Sequence, residues 1–298
     1  MQYFGKLFLR YLIYFVQAVI AVVFFSIFRV LPIKVSSAIG SWVGKILGPR
    51  IAISCRARRN LSRIYPKKSK VVIEEIILGM WDNLGRLAGE FPHLSKLNIY
   101  KPNGFVEVVG GDIIDQLRDD KKPGIFFSAH LGNWELIPLC GIQKGLSINR
   151  VYRAANNPLV KWLYNYGRAS TSGVLIPKGP QGVRLLLDSL KKGKHLGVLM
   201  DQKMNDGIPV PFFGIEAMTA SAIAELALRF DCPMVPVHIK RLGGVKFRII
   251  FEAPLVLERT GNHVDDVQSL MIQVNNKIEG WIKAVPEQWL WLHNRWPD

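Results

Sequence analysis

A histidine and a carboxylate follow an apolar run near the middle of the chain. The uncharged residues 124–129 predict a buried strand, His130 comes directly after them, and Glu135 stands five positions further on. A histidine oriented by a carboxylate can take a proton from a hydroxyl group, as a general base does. Each residue alone has a plainer explanation, as a partly buried histidine or as a carboxylate in the first turn of a helix. Their combination indicates a catalytic pair, with Gly132 and Asn133 between them as candidates for substrate binding and Asn133 also suited to cap the next helix.

Other polar residues follow predicted strands and belong to the same edge of the sheet. Arg153 comes just after the predicted strand 148–152 and is interpreted either as a contact for a developing oxyanion or substrate phosphate, or as a surface ion pair. Asp201 ends another predicted strand, where it either orients Arg153 or caps a loop. Arg168 and Lys178 are weaker candidates for phosphate contacts.

Metal, cofactor and covalent chemistry have little support. The six histidines are isolated in sequence, and the spacing of His130 and Glu135 does not match a zinc-binding HExxH pattern. There is no glycine-rich phosphate loop and no Ser-His or Cys-His signature. The three cysteines lie far apart without CxxC spacing, which is typical of reduced, structural cysteines. We expect neither a metal ion nor a cofactor.

The elements that must position these residues alternate along the chain. Apolar strands without polar alternation, separated by helical patterns, predict an α/β fold with a largely parallel central sheet covered by helices. In such sheets, ligand sites lie at the carboxyl edge of the strands. The predicted strands are 105–109, 124–129, 148–152, 173–176, 196–200, 234–239 and 247–252. The predicted helices are 36–47, 71–90, 112–120, one beginning near 133, 158–170, 181–191, 219–230 and 264–284.

The amino-terminal segment is strongly apolar. Residues 11–28 carry no charge and lie between Arg10 and Arg29. At helical rise they span about 27 Å, close to the roughly 30 Å hydrocarbon core of a bilayer. A cleaved signal peptide is disfavoured by the length of the run, and a buried core helix is the remaining alternative. We therefore predict a membrane anchor over residues 1–31, spanning or lying in the interface, and one catalytic domain over residues 32–298.

The net charge indicates an anionic partner. The formal charge is +16 and the isoelectric point is near 9.9. Nucleic acid is not expected, because the chain has no zinc finger, helix-turn-helix or aromatic RNA-binding pattern. Anionic lipid headgroups or an acidic carrier protein fit better beside an apolar anchor. The cationic domain without a disulfide pattern favours the cytoplasmic side of the membrane.

Several segments resemble a known enzyme family. The segment SAHLGNWE is similar to the HX4D/E motif of glycerolipid and lysophospholipid acyltransferases. Four further segments resemble the late acyltransferases of lipid A biosynthesis, the lauroyl/myristoyl transferase family, and occur in the same order: RRNLSRIYP, VYRAANNP, LGVLMDQKMNDGIPVPFFG and PEQWLWLHNRW. The chain has Arg-Ala at Arg153 where many relatives have Arg-Pro. The resemblance covers nearly the whole chain.

The resemblance implies a reaction, two partners and a location. The reaction is transfer of a fatty acyl group from an acyl carrier protein thioester to a 3-hydroxyacyl chain of an anionic glycolipid acceptor, a lipid A precursor of the Kdo-lipid IVA type. His130 would be the general base and Glu135 would fix its tautomer, at the cytoplasmic face of a bacterial inner membrane. The alternatives are a related acyltransferase that acts on another glycolipid or a lysophospholipid, and a non-catalytic lipid-binding membrane protein.

Overall fold

The structure is a computed structural model that describes residues 2–152, 157–169, 173–177 and 179–297. The helices are α1 (Gln2–Val30), α2 (Ile33–Leu47), α3 (Ser54–Ile64), α4 (Lys70–Glu90), α5 (Asp112–Asp119), α6 (Ile137–Gln143), α7 (Pro158–Arg168), α8 (Pro180–Lys191), α9 (Ala222–Phe230) and α10 (His263–Ala284). The strands are β1 (Val106–Val109), β2 (Ile125–Ser128), β3 (Ile148–Tyr152), β4 (Leu175–Pro177), β5 (His195–Leu199), β6 (Ile208–Phe212), β7 (Ile215–Thr219), β8 (Met234–Gly243) and β9 (Lys246–Phe251).

Seven of these strands form one sheet in the order β1-β9-β8-β2-β5-β3-β4. The pairs are parallel except for the antiparallel contact of β8 with β9. This confirms the predicted α/β fold with a largely parallel sheet. β2 lies at the centre, and all four of its residues are buried. Because successive side chains of a strand point to opposite faces, Phe126 and Phe127 enter two different cores, one on each face of the sheet.

The segment after β5 differs from the prediction. β6 and β7 form a separate antiparallel hairpin, so Thr219 belongs to a strand and α9 begins three residues later than predicted. Phe212 is fully buried, and its ring stacks on Trp296 at a centroid distance of 5.6 Å. The aromatic hairpin and the carboxyl-terminal tryptophans therefore close one end of the core.

Helix α1 is exposed along most of its length. It contains Phe8–Val30, the one helix among the described residues that is long and apolar enough to cross a membrane, and only 6% of its apolar window is buried. The alternative of a buried core helix is therefore wrong. Its inner stripe is half-buried or buried at Tyr14, Ala18, Ala21, Phe25 and Phe28, a spacing that puts these residues on one helix face.

The contact between α2 and α4 depends on glycine. A Cβ atom on Gly85 would lie 2.1 Å from the carbonyl oxygen of Gly40, and the reverse substitution meets the same obstruction. The backbones of the two helices are thus closer than any side chain permits.

We expect Gly85→Ala to lower the free energy of unfolding by about 1–3 kcal/mol, because the added methyl group must push α2 and α4 apart. The matched control is Gly280→Ala in α10, where an added Cβ meets nothing within 4 Å. That variant should instead gain about 0.5–1 kcal/mol from the better helix propensity of alanine. Denaturant unfolding in detergent measures the change in the free energy of unfolding of each variant. A Gly85→Ala variant that is more stable than the unmodified protein would contradict the close packing.

Candidate functional site

His130 and Asp201 meet at the carboxyl edge of the sheet. Each lies two residues beyond the end of its strand, β2 or β5, and these strands are hydrogen-bonded neighbours in which Ser128 pairs with Leu199. The His130 Nδ1 atom lies 2.8 Å from Asp201 Oδ1, and the His130 backbone N–H donates to Asp201 Oδ2 at 2.9 Å. Parallel strands in register therefore bring together two residues that are 71 positions apart in sequence.

The Asp201 carboxylate is fully buried and accepts a third hydrogen bond, from Trp289 Nε1 at 2.7 Å. Burial alone raises the pKa of this carboxyl group, but the neighbouring His130 and its hydrogen bonds hold the pKa well below its usual range. An ionised carboxylate can only accept, so Nδ1 of His130 must carry the proton. The other ring nitrogen, Nε2, is then the basic one.

The Nε2 side of His130 faces two residues that the sequence did not single out. Gln202 Nε2 lies 3.3 Å from His130 Nε2 and 3.1 Å from His293 Nε2. The ring of His130 also packs edge-on against Trp134 and His293, at centroid distances of 5.0 and 5.1 Å. The position of Gln202 beside Asp201 was a usable signal, whereas nothing in the sequence brings His293 to this edge.

The expectation that the six histidines are isolated is therefore wrong for His130 and His293. The candidate ligand atoms of His130, Asp201 and His293 lie within 4.8 Å of one another. Both Asp201 oxygens accept hydrogen bonds from His130 or Trp289, however. The contacts thus form a hydrogen-bonded network around the His130 ring.

Glu135 lies in a 3₁₀ turn, Trp134–Leu136, and its carboxylate is directed at two guanidinium groups. Its Oε2 atom accepts from Arg168 Nε at 3.0 Å, its Oε1 atom accepts from Arg168 Nη2, and Arg150 Nη1 lies 3.5 Å from Oε2. Burial raises the pKa of the Glu135 carboxyl group, but Arg168 and Arg150 outweigh burial and lower it. Glu135 was predicted to contact the ring of His130, but the carboxylate that contacts this ring is that of Asp201. Arg168, which was predicted to contact a phosphate, pairs with Glu135.

Gly132 and Asn133 hold the loop that follows His130. Gly132 adopts a φ of +55°, and a Cβ there would lie 2.9 Å from the carbonyl oxygen of Ile239. Asn133 stands at the N-cap position without a capping hydrogen bond, so that expectation is wrong. Its Nδ2 atom instead donates to the buried Glu90 at 2.7 Å, and Glu90 is paired with Arg241 at 2.6 Å.

Two further predicted site residues, Arg153 and Lys178, lie outside the described residues. The interpretation of Asp201 as a residue that orients Arg153 is therefore not tested, while its contacts with His130 and Trp289 are defined. Arg150, which lies on β3, was not predicted. It was missed because a charged residue inside a short strand gives no sign of which side chain it meets.

An apolar cavity of about 200 Å³ opens beside this network. Its walls come from β2, β3, β5 and α6, with Phe126, Ile137, Ile148 and Val198 among the lining side chains. His130, Trp134, Glu135, Arg150 and Arg168 also line it. An apolar space that ends on a few polar groups is typical of a ligand site.

The chain is similar to several known proteins. The family model described as bacterial lipid A biosynthesis acyltransferase matches residues 4–298. A lipid A biosynthesis acyltransferase of Haemophilus influenzae is 24% identical over 87% of this chain and 79% of its own. Two Escherichia coli proteins are also similar: a lipid A biosynthesis palmitoleoyltransferase, 26% identical over 89% of this chain and 86% of its own, and a lauroyltransferase, 24% identical over 80% and 76%.

Proposed function

Because the chain belongs to the bacterial lipid A biosynthesis acyltransferases, we propose that it transfers a fatty acyl chain from an acyl carrier protein thioester to a 3-hydroxyacyl chain of a lipid A precursor of the Kdo-lipid IVA type. The observation that carries the proposal is the buried Asp201 carboxylate behind His130, at the mouth of an apolar cavity. This arrangement supports proton abstraction from a hydroxyl group beside a bound alkyl chain.

The proposed reaction needs no enzyme nucleophile, because a thioester is already activated. Nε2 of His130 takes the proton of the acceptor hydroxyl as its oxygen attacks the thioester carbonyl carbon. The tetrahedral intermediate collapses, the carbon–sulfur bond breaks, and the departing thiolate takes the proton from the imidazolium. The products are an ester and a free thiol, and His130 returns to its starting state.

In this mechanism Asp201, and not Glu135, holds the tautomer of His130 and stabilises the imidazolium. Glu135 positions the guanidinium groups of Arg168 and Arg150 at the mouth of the cavity. We retain Arg153 as the proposed contact for the developing oxyanion or a substrate phosphate, and Lys178 as a weaker phosphate contact.

The acidic donor protein is proposed to dock on α3. Arg56, Arg59 and Arg63 are exposed at a spacing that puts them on one helix face. The same helix touches the segment that bears His293, because Asn60 Nδ2 donates to the His293 carbonyl oxygen at 2.8 Å. A cationic surface beside the site attracts an acidic carrier protein and a phosphorylated lipid.

The exposed, apolar α1 supports attachment to a membrane. We propose that this membrane is the inner membrane and that residues 32–298 form a catalytic domain on its cytoplasmic side. The location fits the donor, because a soluble acyl carrier protein must reach the site from the aqueous side. It also fits the acceptor, which is itself held in the bilayer.

The direct test offers the purified protein an acyl carrier protein thioester with either a tetraacyl glucosamine disaccharide or lysophosphatidate. We expect mass spectrometry to show one added acyl chain on the disaccharide and none on lysophosphatidate. Acylation of lysophosphatidate alone would overturn the proposed acceptor and favour the lysophospholipid alternative. A coenzyme A thioester offered in place of the carrier protein tests the donor in the same assay.

A further inference from the structure

A second apolar cavity lies between three helices of the amino-terminal half of the chain and α7. Its volume is about 600 Å³, within the usual range for ligand sites. It is walled by α1, α2, α4 and α7, and the lining side chains include Phe25, Phe28, Val43, Leu84 and Leu163. It lies outside the sheet that forms the first cavity.

The two cavities meet at the catalytic edge. Trp134, Glu135 and Arg168 line both of them. The ring of Trp134 is also in contact with that of His130, at a centroid distance of 5.0 Å. An alkyl chain in the second cavity would therefore reach the mouth of the first one next to the proposed base.

Helix α1 lines the second cavity with one face and is exposed on the other. Phe25 on its inner face packs against Phe91 and Tyr166 at centroid distances of 6.4 and 5.9 Å, and Asn157 Nδ2 of the loop before α7 donates to the Tyr14 carbonyl oxygen at 2.8 Å. On its outer face Ile20 and Val23 are about half exposed, at 51% and 50%. One wall of the cavity is thus the helix that is proposed to contact lipid.

We propose that this second cavity binds an acyl chain of the membrane-held acceptor, while the first cavity holds the acyl chain of the donor. The inference rests on the proposed function and assigns its two alkyl substrates to separate sites. The acceptor already resides in the bilayer and meets the wall formed by α1. The donor chain arrives on a soluble protein, and the cavity within the sheet is the one that contains His130.

The test fills the second cavity and measures both substrates. Ala21 lines the cavity, whereas Val23 on the same helix points outward, since two residues correspond to about 200° of rotation. We expect Ala21→Trp to raise the KM for the acceptor about tenfold or more and to leave the KM for the donor within about twofold, because the indole occupies the space of buried methylene groups. Val23→Trp should leave both constants unchanged.

A second pair of variants, on α7, shows whether the effect of Ala21→Trp comes from filling the cavity or from disturbed packing of α1. Val160 lines the cavity and Leu159 is 49% exposed. Val160→Trp should reproduce the effect on the acceptor, and Leu159→Trp should not. A rise in the KM for the donor alone, or unchanged constants in both cavity-filling variants, would overturn the assignment.

A binding readout separates this inference from the proposed reaction. An acceptor with a diazirine in one acyl chain should label peptides of α1, α4 or α7 in the unmodified protein and lose that labelling in Ala21→Trp. Labelling confined to β2, β3 or β5 would overturn the assignment. If the protein acylates lysophosphatidate instead of the disaccharide, the proposed acceptor fails, and the same variants and a diazirine lysophosphatidate then test the cavity with the lipid that is used.

Discussion

Asp201→Asn is expected to lower kcat by roughly a hundredfold to ten-thousandfold, the range of a general-base contribution. The carboxylate accepts from Nδ1 of His130 in the structure. An amide NH₂ group at that place would donate to Nδ1 instead and drive the ring proton to Nε2. The nitrogen that faces the substrate would then have no lone pair with which to take the hydroxyl proton.

Three measurements make this result specific. Initial rates with the thioester donor and lipid acceptor give kcat, and a thermal unfolding curve in detergent shows whether the variant is folded. His130→Gln should lose at least as much activity, because it removes the base itself. Asp188→Asn is the matched control, since Asp188 is exposed and pairs only with Lys192 among the contacts described, and it should keep full activity. A folded Asp201→Asn variant with near-normal kcat would rule out the orienting role.

Glu135→Gln is expected to destabilise the protein by about 3–5 kcal/mol, because the change leaves buried guanidinium charge without its carboxylate. The side chains of Glu135, Arg150 and Arg168 are only 4%, 12% and 19% exposed. The loss should appear as a lower midpoint of denaturant unfolding, together with reduced activity.

The control for this variant is the same substitution in an exposed ion pair. Glu107→Gln breaks a contact with Arg248 at which both side chains are about half exposed, and we expect a change within about 1 kcal/mol. The family motif alone predicts a different outcome, in which loss of Glu135 abolishes turnover while the fold stays intact. A Glu135→Gln variant of normal stability and no activity would support that direct role and contradict ours.

The centre of the sheet was predictable because β2 is buried on both faces. The run 124–129 carries no charge and corresponds to the central strand β2 within one residue at each end. The hairpin of β6 and β7 was not predicted. The sequence of this hairpin has no continuous apolar run, because prolines and polar residues interrupt it. Phe212 is buried through contacts with tryptophans that are distant in sequence.

The candidate site was predictable in its parts but not in its pairings. His130, Glu135, Asp201 and Arg168 were all identified as candidates, but their contacts were not: Asp201 contacts His130, and Glu135 pairs with Arg168. The spacing of His130 and Glu135 suggests a pair because the two are close in sequence. The turn at Trp134–Leu136 instead directs Glu135 toward Arg168.

The sequence by itself determined the fold class, the family, the apolar helix and the residue most suited to act as a base, because strand burial, helix length and motif order are local properties of a chain. Only the tertiary structure decided which carboxylate contacts this residue. Asp201 reaches His130 because β5 lies beside β2 in parallel register, and strand order is set by packing between distant segments. The same packing placed His293 and Gln202 at the ring and put the second cavity against α1.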